Sequence, residues 1–432
     1  MKKKIDLLIT NIGQLITCNN PGEPLRGAEM GQIEAFENTA VAIHDGIIES
    51  VGTSHWLPDV YDPEQVVDAG GNAVIPGFVD PHTHTIFGGD RAHEFEMRIS
   101  GATYMEIMAA GGGIVSTMKH TRESSEGELF ASAKARLDEM LALGSTTVEI
   151  KTGYGLDTDT ELKMLRVIEQ LDLAHPCDIV PTFLGAHTLP PEFKDNGDGY
   201  VDLVVNEMIP AVMDWYQASH FAKNKTPLFI DVFCEDHAFD VPQTERILKA
   251  GLAAGMLPKI HVDQFNEFGG LEMALELGAV SVDHLDVTSE QGIQAIADSK
   301  SVAVPLPAVT FNLGIDQYAN ARAMLDGGTA VALATDLNPG SAPCYSMPMT
   351  MAIACRFQKM LPAEALHAST INAAYAIGLG HKVGSIQVGK QADLLILKQP
   401  DYRHLCYFFG QNPVGIVIKD GQEVLSTKAQ RV

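Results

Sequence analysis

The sequence predicts an α/β protein: a (β/α)8 TIM barrel carrying a composite β-sandwich built from both chain ends. Two observations lead there. Between residues 76 and 380, eight short apolar runs each close in a polar or Gly-rich loop before an amphipathic stretch: "VIPGFVDPHTH", "STTVEIKTGYG", "DIVPTFLGAH", "LFIDVFCE", "PKIHVDQF", "AVSVDHLD", "VAVPLPA" and "AVALATDLNPG". Near-continuous apolar strands separated by helices are the mark of a parallel sheet covered on both faces, and eight such units fill one barrel. Outside that region the pattern changes to hairpins. A doubly wound sheet is the competing arrangement, but no GxGxxG follows a first strand.

The outer segments read in order. "IDLLITNIGQLITC" and "TAVAIHDGIIESVG" run apolar or alternate, and Asp45-Gly46 marks a tight turn. "GSIQVGKQADLLILK" and "VGIVIKDGQEV" repeat this style at the other end, with a second Asp-Gly at 420 and 421. Residues 1–75 plus 381–432 are therefore expected to form one sandwich, and 76–380 the barrel; two separate terminal caps are the alternative. Among the helices, 158–171 shows the type. It carries a Thr158-x-x-Glu161 capping box and a stripe of Leu162, Leu165, Ile168 and Leu171.

Composition limits the function. The 432 residues are 46% hydrophobic and 20% charged, and no apolar run approaches the ~18 residues of a membrane helix. "MKKKIDLLIT" is broken by Asp6 and fails as a signal peptide, and the six cysteines form no CxxC. A cytoplasmic protein with reduced thiols is expected. Thirty basic against 55 acidic residues give −25, which makes nucleic acid and anionic membranes poor partners.

The chemistry collects at the strand ends. Those ends carry His82 and His84, Tyr154, His187, Glu235, His261 with Gln264, His284, and Asp336 in "ATDLNPGS". In a barrel the loops after the strands hold the active site. His82 and His84 lie two apart, so on a strand both point to one face. Five of the fifteen histidines fall at these ends, more than core packing explains. Three imidazoles and one carboxylate suit zinc or iron, with a position left for water. Such an ion lowers the pKa of water and polarises a carbonyl or amidine-like carbon. Asp336 then has a second task as acceptor of the water proton, and His284 positions the electrophile or stabilises its charge.

These stretches resemble a known family. "VIPGFVDPHTH", the histidines of strands 5 and 6 and the aspartate of strand 8 are similar to the amidohydrolase superfamily, and "HDGIIESVG" and "GSIQVGKQADLLIL" to its accessory sandwich. Within it, "VEIKTGYGLD", "FLGAHTLPPEF" and "TDLNPGS" resemble the imidazolonepropionases along nearly the full chain. The resemblance implies hydrolytic ring opening of 4-imidazolone-5-propanoate to N-formimidoyl-L-glutamate, a step of histidine degradation. It implies one metal ion, zinc or iron, on His82, His84, His261 and Asp336, with Asp336 and His284 catalytic. By the same resemblance Arg91, Tyr154, His187, Gln264, Asn338, Gly340 and Ser341 meet the substrate, and the chain is a homodimer. Some members carry Glu three residues after the strand-5 histidine. Here Gln264 stands there, and a glutamine is no base, so the proton falls to Asp336 or His284.

Each contact has a plainer reading. Arg91 also fits an ordinary surface ion pair with Glu94 or Glu96, and His187 a loop cap. Tyr154, between Gly153 and Gly155, is expected to be exposed, and Lys151 to be structural. Gly111 to Gly113 are expected to form a flexible lid, since no GKS/T follows them. Two other functions fit the pattern: a cyclic amidine hydrolase or deaminase of the same superfamily, which Gln264 disfavours, and a non-catalytic scaffold, which would be expected to have lost ligands.

Overall fold

The computed structural model describes residues 2–102, 106 and 111–426. Seven parallel strands lie in chain order in one curled sheet: Phe78–Asp80, Ser145–Lys151, Asp178–Ala186, Phe229–Cys234, Leu257–Val262, Ser281–His284 and Val302–Val304. The eighth segment closes the ring with isolated bridges in place of a full ladder. Ala332 N–H donates to Ala303 O on one side, and His84 N–H donates to Leu337 O on the other. Apart from Asp178 and Leu257 at their starts, the strands are buried throughout because helices cover the outside and side chains fill the inside.

Strands from both chain ends form two further sheets. Lys3–Ile12, Thr39–His44, Ile47–Thr53 and Tyr61–Asp68 make a four-stranded sheet. The other orders Gln422–Ser426, Val414–Lys419, Leu394–Leu397, Ala73–Pro76, Gln14–Ile16 and Ala35–Phe36. Leu394–Leu397 pairs antiparallel with Ala73–Pro76, so the two termini share one sheet. The turn at Asp45 and Gly46 has both residues at positive φ, 50° and 73°, as a tight hairpin between twisted strands requires.

The continuous run "LLIL" has a simple cause. Leu394 and Ile396 enter the core between the two sheets, with Leu7, Val41 and Ile418. Leu395 and Leu397 point the other way and pack with Phe78, Leu141 and Cys177 of the barrel. The sheet is thus buried on both faces, and its period of two is hidden in an all-apolar string.

The helix after the second barrel strand departs from expectation. It spans Thr158–Ala174, but its cap is Asp157, whose side chain accepts from Thr160 N–H. Glu161 makes no capping box with Thr158. Its carboxylate turns into the protein and accepts from the backbone N–H groups of Gly153, Gly155 and Leu156.

One buried cation joins the sandwich to the barrel. Lys419 Nζ is 2.9 Å from Asp178, the first residue of the third barrel strand, and 3.1 Å from Asp393. Burial pushes the Asp393 carboxyl up to about 6, against the pull of Lys419. Removing one partner of a buried pair leaves the others uncompensated, at about 3–5 kcal/mol. Lys419→Met should therefore lower the midpoint of chemical unfolding by that amount of stability, read by circular dichroism. An unchanged midpoint would mean the pair contributes nothing to docking.

Candidate metal centre

The ring closure that completes the barrel also sets the first two histidines. Asp336 N–H donates to His82 O and His84 N–H to Leu337 O, so the eighth segment is stitched along the His82–His84 backbone. His261 and His284 stand on neighbouring strands, where Val262 pairs with His284. All four imidazoles are buried, as is Asp336. Asp336 and His284 have φ of 50° and 82°, a backbone region that costs non-glycine residues of order 1–3 kcal/mol.

Four ligand-type atoms converge. Asp336 Oδ1 lies 3.4 Å from His82 Nε2 and 3.3 Å from His84 Nε2, and His84 Nε2 lies 3.4 Å from His261 Nε2. Among the described residues His82 Nε2 and Asp336 Oδ1 are buried without any hydrogen-bond partner. A buried polar atom without a partner is costly, and a cation between these groups would engage both. Protonation favours ligation at two of the three histidines, while Asp283 and Asp336 raise His82 above its ordinary value. Burial drives His84 down to about 4 and lowers His261 and His284, so their lone pairs are free. Burial alone would raise Asp336, but His82 and His84 outweigh it and hold the carboxyl well below its ordinary range. This donor set fits a divalent or trivalent ion.

The ligand rings are held from behind. His82 Nδ1 is 2.7 Å from Asp283, and His261 Nδ1 is 3.0 Å from Asp231. Each carboxylate fixes its ring so that Nε2 faces the centre. Lys151 Nζ, fully buried, donates to Asp231 at 2.8 Å and to Glu149 at 2.7 Å, and Lys259 Nζ lies 3.9 Å from Asp283. Lys151 therefore lies beneath the centre and outside the ligand cluster. Sequence reasoning missed Asp231, Asp283, Glu149 and Lys259. Their signal was present: Glu149, Asp231 and Lys259 each sit between two apolar residues of a strand, and Asp283 follows Val282.

A cavity of about 590 Å³ opens over the centre. Every candidate residue except His82 lines it: His84, Arg91, Tyr154, His187, His261, Gln264, His284, Asp336, Asn338, Gly340 and Ser341. His82 is fully buried. His187 is both loop cap and wall, since its Nδ1 lies 3.0 Å from Gly153 O while its ring stacks 4.9 Å from that of His84. Asn338 accepts from the N–H groups of Gly340 and Ser341 and so builds the turn that presents them. Glu235 holds the loop after strand 5, accepting from Phe265 and Asn266 N–H.

Three expectations need correction. Tyr154 is 2% exposed, because Glu161 ties down the backbone on both sides of it and folds the ring against His84 and Phe87. Arg91 does pair with Glu94, at 2.7 Å, yet with the two side chains 12% and 9% exposed this is a pair in the cavity wall and no surface bridge. The guanidinium lies so close over Gly340 that a Cβ there would meet Arg91 Nη1 at 2.1 Å, which explains the glycine. Of the expected Gly111–Gly113 lid, Gly113 is buried wall, its N–H donating to Glu94 Oε1. Residues 103–105 and 107–110 before it lie outside the described residues.

Comparison with known proteins agrees with this geometry. Two models of the amidohydrolase family match residues 246–424 and 65–142. An imidazolonepropionase of Chloroflexus aggregans is 54% identical over 98% of this chain and 99% of its own. That of Herpetosiphon aurantiacus is 52% identical over 97% of each. Among solved structures, a zinc-bound adenosine deaminase from Xanthomonas campestris superposes with a TM-score of 0.72 at 19% identity, covering 99% of this chain and 94% of the other. A triazine hydrolase variant gives 0.74 at 17%, covering 97% and 94%. At that identity these two establish the fold alone. Identity above one half along nearly the full length of two relatives decides the narrower question: the chain belongs to the imidazolonepropionase family of amidohydrolases.

Proposed function

We propose that this chain opens the ring of 4-imidazolone-5-propanoate with water, giving N-formimidoyl-L-glutamate. The observation that carries the reading is the convergence of His82, His84 and His261 Nε2 with Asp336 Oδ1 under a cavity walled by Arg91. One zinc or iron ion per chain would be held by those four residues. When bound, it supplies Lewis acidity at the carbonyl and a lowered pKa for water.

The chain's own groups do the rest. Water oxygen adds to the ring carbonyl carbon, and the bond from that carbon to the ring nitrogen breaks. Asp336, kept ionised by its histidine neighbours, takes a proton from the water and passes it to the departing nitrogen. His284, kept neutral by burial, donates an N–H to the developing oxyanion. His187, Tyr154 and Gln264 orient the ring, and Asn338, Gly340 and Ser341 shape the wall beside Arg91. No glutamate follows the strand-5 histidine at the third position, so Gln264 binds without moving protons.

The division into residues 1–75 plus 381–432 and 76–380 is likewise proposed, as are a homodimer and a cytoplasmic location. The six free thiols support the last. Among the described residues no helix is long and apolar enough to cross a membrane.

Ring opening is followed by the loss of the substrate's ultraviolet absorbance. Asp336→Ala and His284→Ala should each lose several orders of magnitude in kcat, roughly 10²-fold or more per lost transition-state contact, and Asp336→Ala should also lose bound metal. Gln264→Glu should keep measurable activity; a loss in Gln264→Ala equal to that in Asp336→Ala would reassign the proton path.

The carboxylates behind the ligands make a separate prediction. Asp231→Asn and Asp283→Asn should weaken metal affinity by about 10–100-fold, read by competition with a chelator. Unchanged affinity would mean that these carboxylates serve the barrel core and not the ligands.

A further inference from the structure

We propose that Cys355 and Cys406 are an oxidant-sensitive dithiol, which a hydroperoxide closes into a disulfide joining the helix Met347–Phe357 to a loop of the sandwich. The two residues are far apart in the chain, and the fold brings them together. The helix Met347–Phe357 follows the eighth barrel segment, and Cys406 sits on the short helix His404–Tyr407, between the sandwich strands Leu394–Leu397 and Val414–Lys419. These two helices pack on each other. Arg356 Nη1 donates to Cys406 O at 2.9 Å, and its guanidinium lies 4.7 Å over the ring of Phe409. The two thiols share a hydrogen bond.

The other four cysteines have different surroundings. Cys177 Sγ donates to Ser145 O and Cys344 Sγ to Ser346 O, while Cys18 and Cys234 bond Thr370 and Thr244. Burial raises all four thiols above their ordinary pKa, which keeps them protonated and unreactive. Cys355 differs in two ways. It is half-buried where Cys406 is buried, so of the two it is the one open to solvent. The hydrogen bond from Cys406, with the Arg356 guanidinium adding to it, also holds the Cys355 thiol below its ordinary value. Cys406 is the complement, pushed well up by the bond it gives to Cys355 and by burial. One sulfur is thus prepared to attack, and the other is held beside it to resolve the product.

One hydroperoxide balances the reaction. The Cys355 sulfur attacks the terminal peroxide oxygen and the O–O bond breaks. The thiol proton leaves with the other oxygen as water or an alcohol, and Cys355 becomes a sulfenic acid. The Cys406 sulfur then attacks that sulfur: the S–S bond forms, the S–O bond breaks, and hydroxide departs as water with the Cys406 proton. Two thiols have lost two electrons to the peroxide, and a thiol reductant returns them. In a reducing compartment the pair rests as the dithiol. The disulfide would cross the boundary between sandwich and barrel, adding a covalent tie to the Lys419 ion pair and restricting the unfolded chain.

The test treats the folded, zinc-loaded enzyme with a small excess of hydrogen peroxide, then unfolds it in an alkylating agent and maps its peptides by mass spectrometry without reductant. Free thiols should fall from six to four, with one pair of peptides linked through Cys355 and Cys406, and dithiothreitol should restore all six. The linked protein should unfold at a higher temperature than the reduced one, and reduction should cancel the gain. Cys406→Ala should leave a sulfenic acid on Cys355 that dimedone traps, and Cys355→Ala should leave Cys406 unreacted at the same dose. Should either variant fail to fold, the wild-type peptide map still decides. A link between other cysteines, sulfinic acid on Cys355 without a link, oxidation spread evenly over the six thiols, or a linked protein that unfolds below the reduced one overturns the proposal.

Discussion

The site depends on a charge network buried inside the barrel. Lys151, Lys259, Glu149, Asp231 and Asp283 are all at most 1% exposed, and they occupy inward positions of strands 2, 4, 5 and 6. Burying one such charge alone would cost several kcal/mol, so each requires the others. Mutual attraction fixes their positions, and Asp231 and Asp283 in turn fix His261 and His82. An apolar barrel core would give comparable stability. It would leave the imidazoles free to turn, and a metal site tolerates little rotation of its ligands.

The loops above are held by a second use of the same residue types. Buried or half-buried carboxylates accept backbone N–H groups: Glu161 around Tyr154, Glu235 around Phe265, Glu94 at Gly113 and Asp80 at Thr335. Each gives a loop the fixed partner that a strand obtains from its neighbour. These loops of the cavity wall are therefore held by hydrogen bonds of their own, which is how loop residues can orient a small ring.

How much of this the sequence discloses follows from the range of each interaction. The barrel strands, the two Asp-Gly hairpins and the paired strand-end histidines rest on local patterns, and local patterns survive in one dimension. Glu161 reads locally as half of a capping box with Thr158, and that reading fails because Asp157 caps better and three unpaired N–H groups lie across the loop. Tyr154 reads as exposed between two glycines for the same reason: its burial is decided by a carboxylate six to eight residues away. Asp231 and Asp283 were harder still. A charge in an apolar strand announces a partner, but the partner comes from another strand and is named only once the barrel is closed.

A chain with net charge −25 would be expected to repel an acid. Distance resolves this. At physiological salt the Debye length is about 8 Å, so exposed acidic groups on the far surface are largely screened at the cavity. Charges in the wall are screened much less, and there the balance is reversed. On one side of the cavity Arg91 and Arg98 face one Glu94, whereas the carboxylates nearest the centre, Asp231, Asp283 and Asp336, are held by imidazoles on the other. An anion entering the cavity therefore has a basic side to approach inside a strongly acidic protein. Placing the two guanidiniums on and beside the helix Ala92–Ile99 keeps that basic side apart from the ligand histidines.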